Sequence, residues 1–154
     1  MQLFRIAATQ FAAQIDGEGA RLYGGRWNQV GDPVLYLAED LSLAILETVV
    51  HANPRRKIER SLLVLNIPEN ASPETVVTLP KWWAGYPPLA ATAEIGSLWI
   101  KEQRSLLLRV PSAVTSGTDP DLWQYNVLAN PHHPEFKNVV VDRVLPWHPD
   151  TRLL

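Results

Sequence analysis

Pro33-Val-Leu-Tyr-Leu-Ala38 runs through Glu39-Asp40 into Leu41-Ser-Leu-Ala-Ile-Leu-Glu47-Thr-Val-Val-His51. The first six residues are a compact apolar run opened by the Asp32-Pro33 turn, which reads as a buried strand. Asp40 stands where a helix N-cap belongs, and the helix expected after it spans Leu41–Ala52. It is apolar almost all round, the pattern of a central helix. Pro54 ends it, because proline disfavours the helical conformation before it and supplies no amide.

Working outward, residues 2–7 read as a short strand. Residues 8–32 hold few periodic apolar positions but five of the eight glycines, and they read as a long ordered loop. Downstream, residues 61–67 and 74–79 read as strands, followed by the proline-and-aromatic loop KWWAGYPP at residues 81–88. Residues 89–103 read as a helix broken or weakened at Gly96, and 105–111 as another strand. The stretch 112–137 is loop-rich, with a short turn at Leu122–Leu128, and residues 138–145 close the set as a strand. Six strand-like runs and two helices, punctuated closely by Pro and Gly, predict an α+β fold with mostly antiparallel pairing. No internal repeat, low-complexity tract or linker divides the chain, so one domain over residues 1–154 is expected.

Composition sets the outer limits. A chain of 154 residues with 46% hydrophobic side chains buries roughly two-thirds of its extended surface on folding. It has no cysteine, which excludes disulfides, Cys-ligated metals and a thiol nucleophile. A net charge of −2 excludes a strongly basic nucleic-acid binder by bulk charge. Thirteen prolines argue against a long-helix bundle. No signal-peptide or membrane-span pattern is present, so a soluble, cytoplasmic chain is expected.

The loop Gly17–Gly31, GEGARLYGGRWNQVG, interleaves glycines with Arg21, Tyr23, Arg26 and Trp27. Glycines allow close approach, guanidinium groups grip phosphate oxygens in forked pairs, and aromatic faces stack on planar rings. The combination suits a nucleotide diphosphate, although the spacing fits neither GxGxxG nor a P-loop; a purely structural loop is the alternative. Glu47 lies mid-helix, with Leu43, Ala44, Val50 and His51 on its own face. A carboxylate there is costly unless paired, so it is either one half of a structural ion pair or a catalytic group in a pocket. His51 reads as a helix-end histidine rather than a base. Tyr36 reads as a core tyrosine of its strand, and Ser112 as a turn residue, since no G-x-S-x-G surrounds it. Adjacent His132 and His133 between prolines read as a rigid loop, with no metal site. Trp82 and Trp83 read as core plugs rather than a lid.

In this order, GEGARLYGGRWN, GDPVLYLAEDLSLAILETVVH, LLLRVPSAV and NVLANPHHPEF resemble the RES domain, over about Leu3–Val144. The resemblance implies a fold similar to ADP-ribosyltransferase toxins. It implies a bacterial toxin that consumes NAD and pairs with a helix-turn-helix antitoxin of the Xre type. The family arginine falls on Arg26, the glutamate on Glu47, the strand tyrosine on Tyr36 and the serine on Ser112. Arg5 matches a further pocket arginine, with Arg21 and Tyr23 as neighbours and Trp27 beside the pyrophosphate loop. By this resemblance Glu47 holds the ribose hydroxyls as positive charge develops. Arg26, supported by Arg5, pairs with the pyrophosphate, Tyr36 shapes the nicotinamide site, and Ser112 bonds ribose or amide. Water, inorganic phosphate as co-substrate, or a protein side chain all remain open as acceptor. No cofactor beyond NAD as substrate, no direct nucleic-acid contact and no membrane are implied. The assembly expected is a homo-oligomer or one bridged by the antitoxin, and a non-catalytic NAD or ADP-ribose binding module is the competing class.

Overall fold

The computed structural model describes residues 1–154. Its elements are β1 (Gln2–Ala8), α1 (Glu18–Tyr23), β2 (Leu35–Ala38), α2 (Leu41–His51), β3 (Arg60–Asn66), β4 (Glu74–Thr75), α3 (Ala90–Glu102), β5 (Leu107–Pro111), β6 (Tyr125–Ala129) and β7 (Val140–Trp147). The fold is α+β: seven strands form one sheet in the order β4-β5-β6-β2-β1-β3-β7. Every pairing is antiparallel except β4 with β5.

The centre of the sheet is where its two halves part. β1 pairs with β3 along seven residues but meets β2 at the single register pair Phe4↔Ala38. The halves therefore splay and fold onto one another. Leu3, Leu63 and Leu65 from one half pack with Leu35, Leu37, Leu107, Val127 and Ala129 from the other. Alternation sends the remaining side chains to the opposite face. There α2 lays Leu43 and Ala44 on Ala38, Phe4 and Ile6. A second core on that face joins Trp27, Trp83 and Trp99 to Val34, Leu108, Val110 and Leu128.

Five local expectations change. α2 is not central: only Leu43 and Ala44 are buried in it, and Leu41, Leu46 and Val50 are exposed. The strand expected at 74–79 is cut to Glu74–Thr75. Part of the loop 8–32 is the short helix α1. The helix at 89–103 is unbroken, because Gly96 serves packing: a Cβ there would lie 1.7 Å from the Trp27 carbonyl oxygen. The short turn expected at Leu122–Leu128 is replaced over most of its length by β6, which sits between β5 and β2 inside the sheet. Its apolar alternation is only five residues long and is flanked by polar and proline-rich segments that read as loop.

Candidate functional site

Asp40 starts α2 as expected, its side chain accepting a hydrogen bond from the Leu43 amide at 2.8 Å. With Leu43 and Ala44 turned to the sheet, the helical repeat brings Glu47 over the ends of β5 and β6 on the same side. Its side chain is 24% exposed. One oxygen, Oε1, accepts from Ser112 Oγ at 2.7 Å and from Asn126 Nδ2 at 2.7 Å. Those bonds satisfy a half-buried carboxylate that would otherwise be costly to desolvate. The other oxygen, Oε2, takes no hydrogen bond, and the nearest basic nitrogen to it is His51 Nε2 at 3.8 Å.

Ser112 is completely buried. It lies two residues beyond Val110 on the face that carries Asn126, and its hydroxyl also accepts the Val114 amide at 3.2 Å. The hydroxyl thus spends its one proton on Glu47 and orients that carboxylate.

Arg26 reaches the same region from the glycine-rich loop. Tyr36 Oη donates to Asn28 Oδ1 at 2.7 Å and accepts from the Trp27 amide at 3.1 Å. Asn28, itself buried, donates to the carbonyls of Ala20, Gln29 and Asp32. A Cβ on Gly25 would stand 2.7 Å from Tyr36 Oη, so glycine is required where the loop crosses the ring. Arg26 Nη1 donates to the carbonyls of Trp83 at 2.7 Å and Gly85 at 2.9 Å, tying the 81–88 loop to this one. Its Nε and Nη2 make no hydrogen bond within the chain. Burial lowers the Arg26 pKa, and the charges of Glu47 and then Tyr36 act the other way. The guanidinium and the carboxylate thus lie within electrostatic reach. Burial likewise pushes the Tyr36 phenol up, so it stays neutral as a donor, with the Trp27 amide and Arg26 opposing.

The structure brings Arg26, Tyr36, Glu47 and Ser112 together, and it places the other expected residues elsewhere. Trp27 is buried against Trp83, ring centroids 6.1 Å apart, and offers no free face for a ligand. Arg21 is engaged by Glu18 of its own helix, Nη2 to Oε1 at 2.6 Å. Tyr23 is 83% exposed at the end of α1. Arg5 faces the side of the sheet that carries its register partner Leu63. It donates to the Gln14 carbonyl at 3.0 Å, and burial lowers its pKa with Asp16 opposing. Of the paired tryptophans, Trp83 is core and Trp82 is 74% exposed. His133 Nδ1 accepts the Glu135 amide and so caps the turn that follows.

Two residues of the site, Asn28 and Asn126, are missed by a reading that looks for charged and aromatic groups. Their signal lies inside quoted segments: Asn28 ends GGRWN, and Asn126 opens NVLANPHHPEF.

The chain is similar to known proteins over nearly its whole length. The "Prs ADP-ribosylating toxin" of Sphingobium sp. (strain YBL2) is 36% identical to this chain, covering 96% of it and 91% of that protein. "Toxin Res" of Photorhabdus laumondii is 35% identical, covering 100% of this chain and 97% of that protein. Among solved structures, the Mycobacterium tuberculosis MbcT-MbcA toxin-antitoxin complex contains a chain of the same fold. It has a TM-score of 0.76 at 16% identity and covers 96% of this chain and 84% of that one. The RES domain model matches residues 2–150, nearly the full length that folds around Glu47, and the chain belongs to the RES domain family.

Proposed function

We propose that this chain is the toxin of a toxin–antitoxin pair and that it consumes NAD by breaking the bond between nicotinamide and ribose. The observation that carries the reading is the divided carboxylate of Glu47, with Oε1 fixed by Ser112 and Asn126 and Oε2 free of hydrogen bonds. Nicotinamide leaves a cationic substrate as a neutral ring, so no general acid is needed. The ribose becomes oxocarbenium-like, and an ionised Oε2 on its hydroxyls binds more tightly as that charge grows. The unbonded edge of Arg26, Nε and Nη2, suits a pyrophosphate oxygen pair. Tyr36 and Asn28 hold the loop that carries Arg26, so their part is to keep that charge in place.

A second reading has support in the Sphingobium relative, whose name describes ADP-ribosylation. There the acceptor is a protein side chain rather than water or phosphate, and the bond broken is the same. In either reading the chain acts on cytoplasmic NAD. An Xre-type antitoxin then covers the site and supplies any DNA contact, since this chain carries a net charge of −2.

The test is incubation with NAD, with and without inorganic phosphate, products read by mass spectrometry. Nicotinamide with ADP-ribose indicates water as acceptor, and nicotinamide with a phosphorylated ADP-ribose indicates phosphate. Glu47→Gln and Arg26→Ala are each expected to abolish NAD loss with the circular dichroism spectrum unchanged. Full NAD consumption by folded Glu47→Gln would overturn the assignment. NAD binding without nicotinamide release would point to the non-catalytic module.

A further inference from the structure

We propose that His51 is the base that takes the proton of the attacking hydroxyl, an inference that rests on the NAD-cleaving reading above. A helix-end histidine would serve only the C-terminus of α2. The geometry points further, because His51 Nε2 stands 3.8 Å from the one oxygen of Glu47 that the protein leaves unbonded. If that oxygen holds the ribose hydroxyls, a water attacking the anomeric carbon needs another acceptor for its proton. No other basic side chain lies within ion-pair distance of Glu47. His51 is also 77% exposed, so the proton it accepts passes directly to solvent.

The surroundings leave this imidazole without a competing partner. α2 packs on β1, on β2 and on the turn Ala113–Thr115. Of the titratable side chains on those strands, Tyr36 lies on the face that α2 covers and donates to Asn28, while Arg5 lies on the opposite face and donates to the Gln14 carbonyl; the turn has none. The C-terminal segment reaches α2 through Leu153, and its charges, Asp150 and Arg152, pair with each other. Glu47 is the one acidic group within 4 Å of His51.

The step balances simply. The oxygen of water forms a bond to the anomeric carbon as the carbon–nitrogen bond breaks. Its electron pair goes to the nicotinamide ring, and the proton of water goes to neutral His51 Nε2. Protonated His51 cannot act, and it would pair with Glu47 and compete with the ribose. Turnover should therefore rise with pH.

The experiment measures nicotinamide release from NAD in phosphate-free buffer across pH, for the wild-type chain, His51→Ala and His51→Gln. Both variants should keep the wild-type circular dichroism spectrum, because the side chain is exposed. The expected result is about a 100-fold fall in kcat, an unchanged KM and loss of the pH-dependent rise, with free imidazole restoring turnover to His51→Ala. Wild-type kcat and pH profile in the variants would overturn the role of His51 alone. So would a fall in kcat that keeps the pH profile and resists imidazole. Wild-type release that requires inorganic phosphate, a nucleophile already ionised, would also overturn it. No nicotinamide release by the wild-type chain with any acceptor would bring down the NAD reading, and His51 with it.

Discussion

One oxygen of Glu47 belongs to the protein and the other is unbonded, and the residues that enforce this division are Ser112 and Asn126. Neither needs to touch a substrate to matter. A hydrogen bond to a charged group contributes about 1.5–3 kcal/mol, and each ~1.4 kcal/mol is tenfold in rate. Ser112→Ala and Asn126→Ala should therefore each lower kcat for NAD loss by roughly ten- to a hundredfold with KM little changed. Steady-state kinetics check this: a rise in KM at constant kcat would mean that Ser112 binds substrate directly. Glu47 itself was legible in the sequence, because an acidic side chain mid-way along an apolar helix has to be paired or functional. Its partners were not, since a serine after a strand and an asparagine inside a short apolar run are ordinary residues until the sheet brings them within 2.7 Å of the carboxylate.

At the level of elements, α3 and the arginine loop meet backbone to backbone. Gly96 admits the Trp27 carbonyl to the surface of α3, and residue 26 is the next one along. Alanine is the better helix former by about 1 kcal/mol, so an isolated helix would gain from Gly96→Ala. Here the methyl would overlap the carbonyl oxygen, and overpacking of this kind costs about 1–3 kcal/mol. Gly96→Ala should therefore destabilise the chain in urea unfolding, and the displaced loop should weaken NAD turnover. A stabilised variant would show that the contact yields easily. The sequence marked Gly96 correctly as exceptional and misread the reason, because local propensity says nothing about what lies across the helix. The same limit explains β6 and α2. β6 owes its place inside the sheet to pairing with β5 and β2. α2 is exposed on one apolar side because the sheet offers it only the narrow patch of Phe4, Ile6 and Ala38.

Across the whole molecule, Tyr36 links the sheet to the functional loop and so links stability to pH. Burial raises its folded pKa above the unfolded value, which is about 10. The unfolded chain thus loses the phenolic proton first. The associated stability is complete below about pH 10 and is lost as the pH rises above it. Urea midpoints measured at increasing alkaline pH should fall for the wild-type chain, with a smaller fall for Tyr36→Phe. At neutral pH that variant should be about 1–3 kcal/mol less stable, since Asn28 and the Trp27 amide lose their partner. An identical alkaline slope in both proteins would show that Tyr36 does not govern it. The tryptophans act at this scale too: Trp27, Trp83 and Trp99 build the core beneath the site, so an indole beside the glycine-rich loop supports the pocket from below.

By itself the amino-acid sequence determined the α+β class, the strand and capped helix over 33–51, the absence of thiol chemistry, and Glu47 as a carboxylate that has to be paired or functional. These follow from short-range physics: hydrophobic period, capping, proline and glycine conformation, and side-chain chemistry. Only the tertiary structure decided that Ser112 and Asn126 share one oxygen of Glu47, that Tyr36 and Asn28 hold the arginine loop, that Trp27 is buried, and that His51 lies beside the free oxygen. Each of these depends on which strands are neighbours and which face of the sheet a residue occupies. That is settled by packing the two splayed halves of the sheet and the helices on them, between residues as far apart as Glu47 and Asn126.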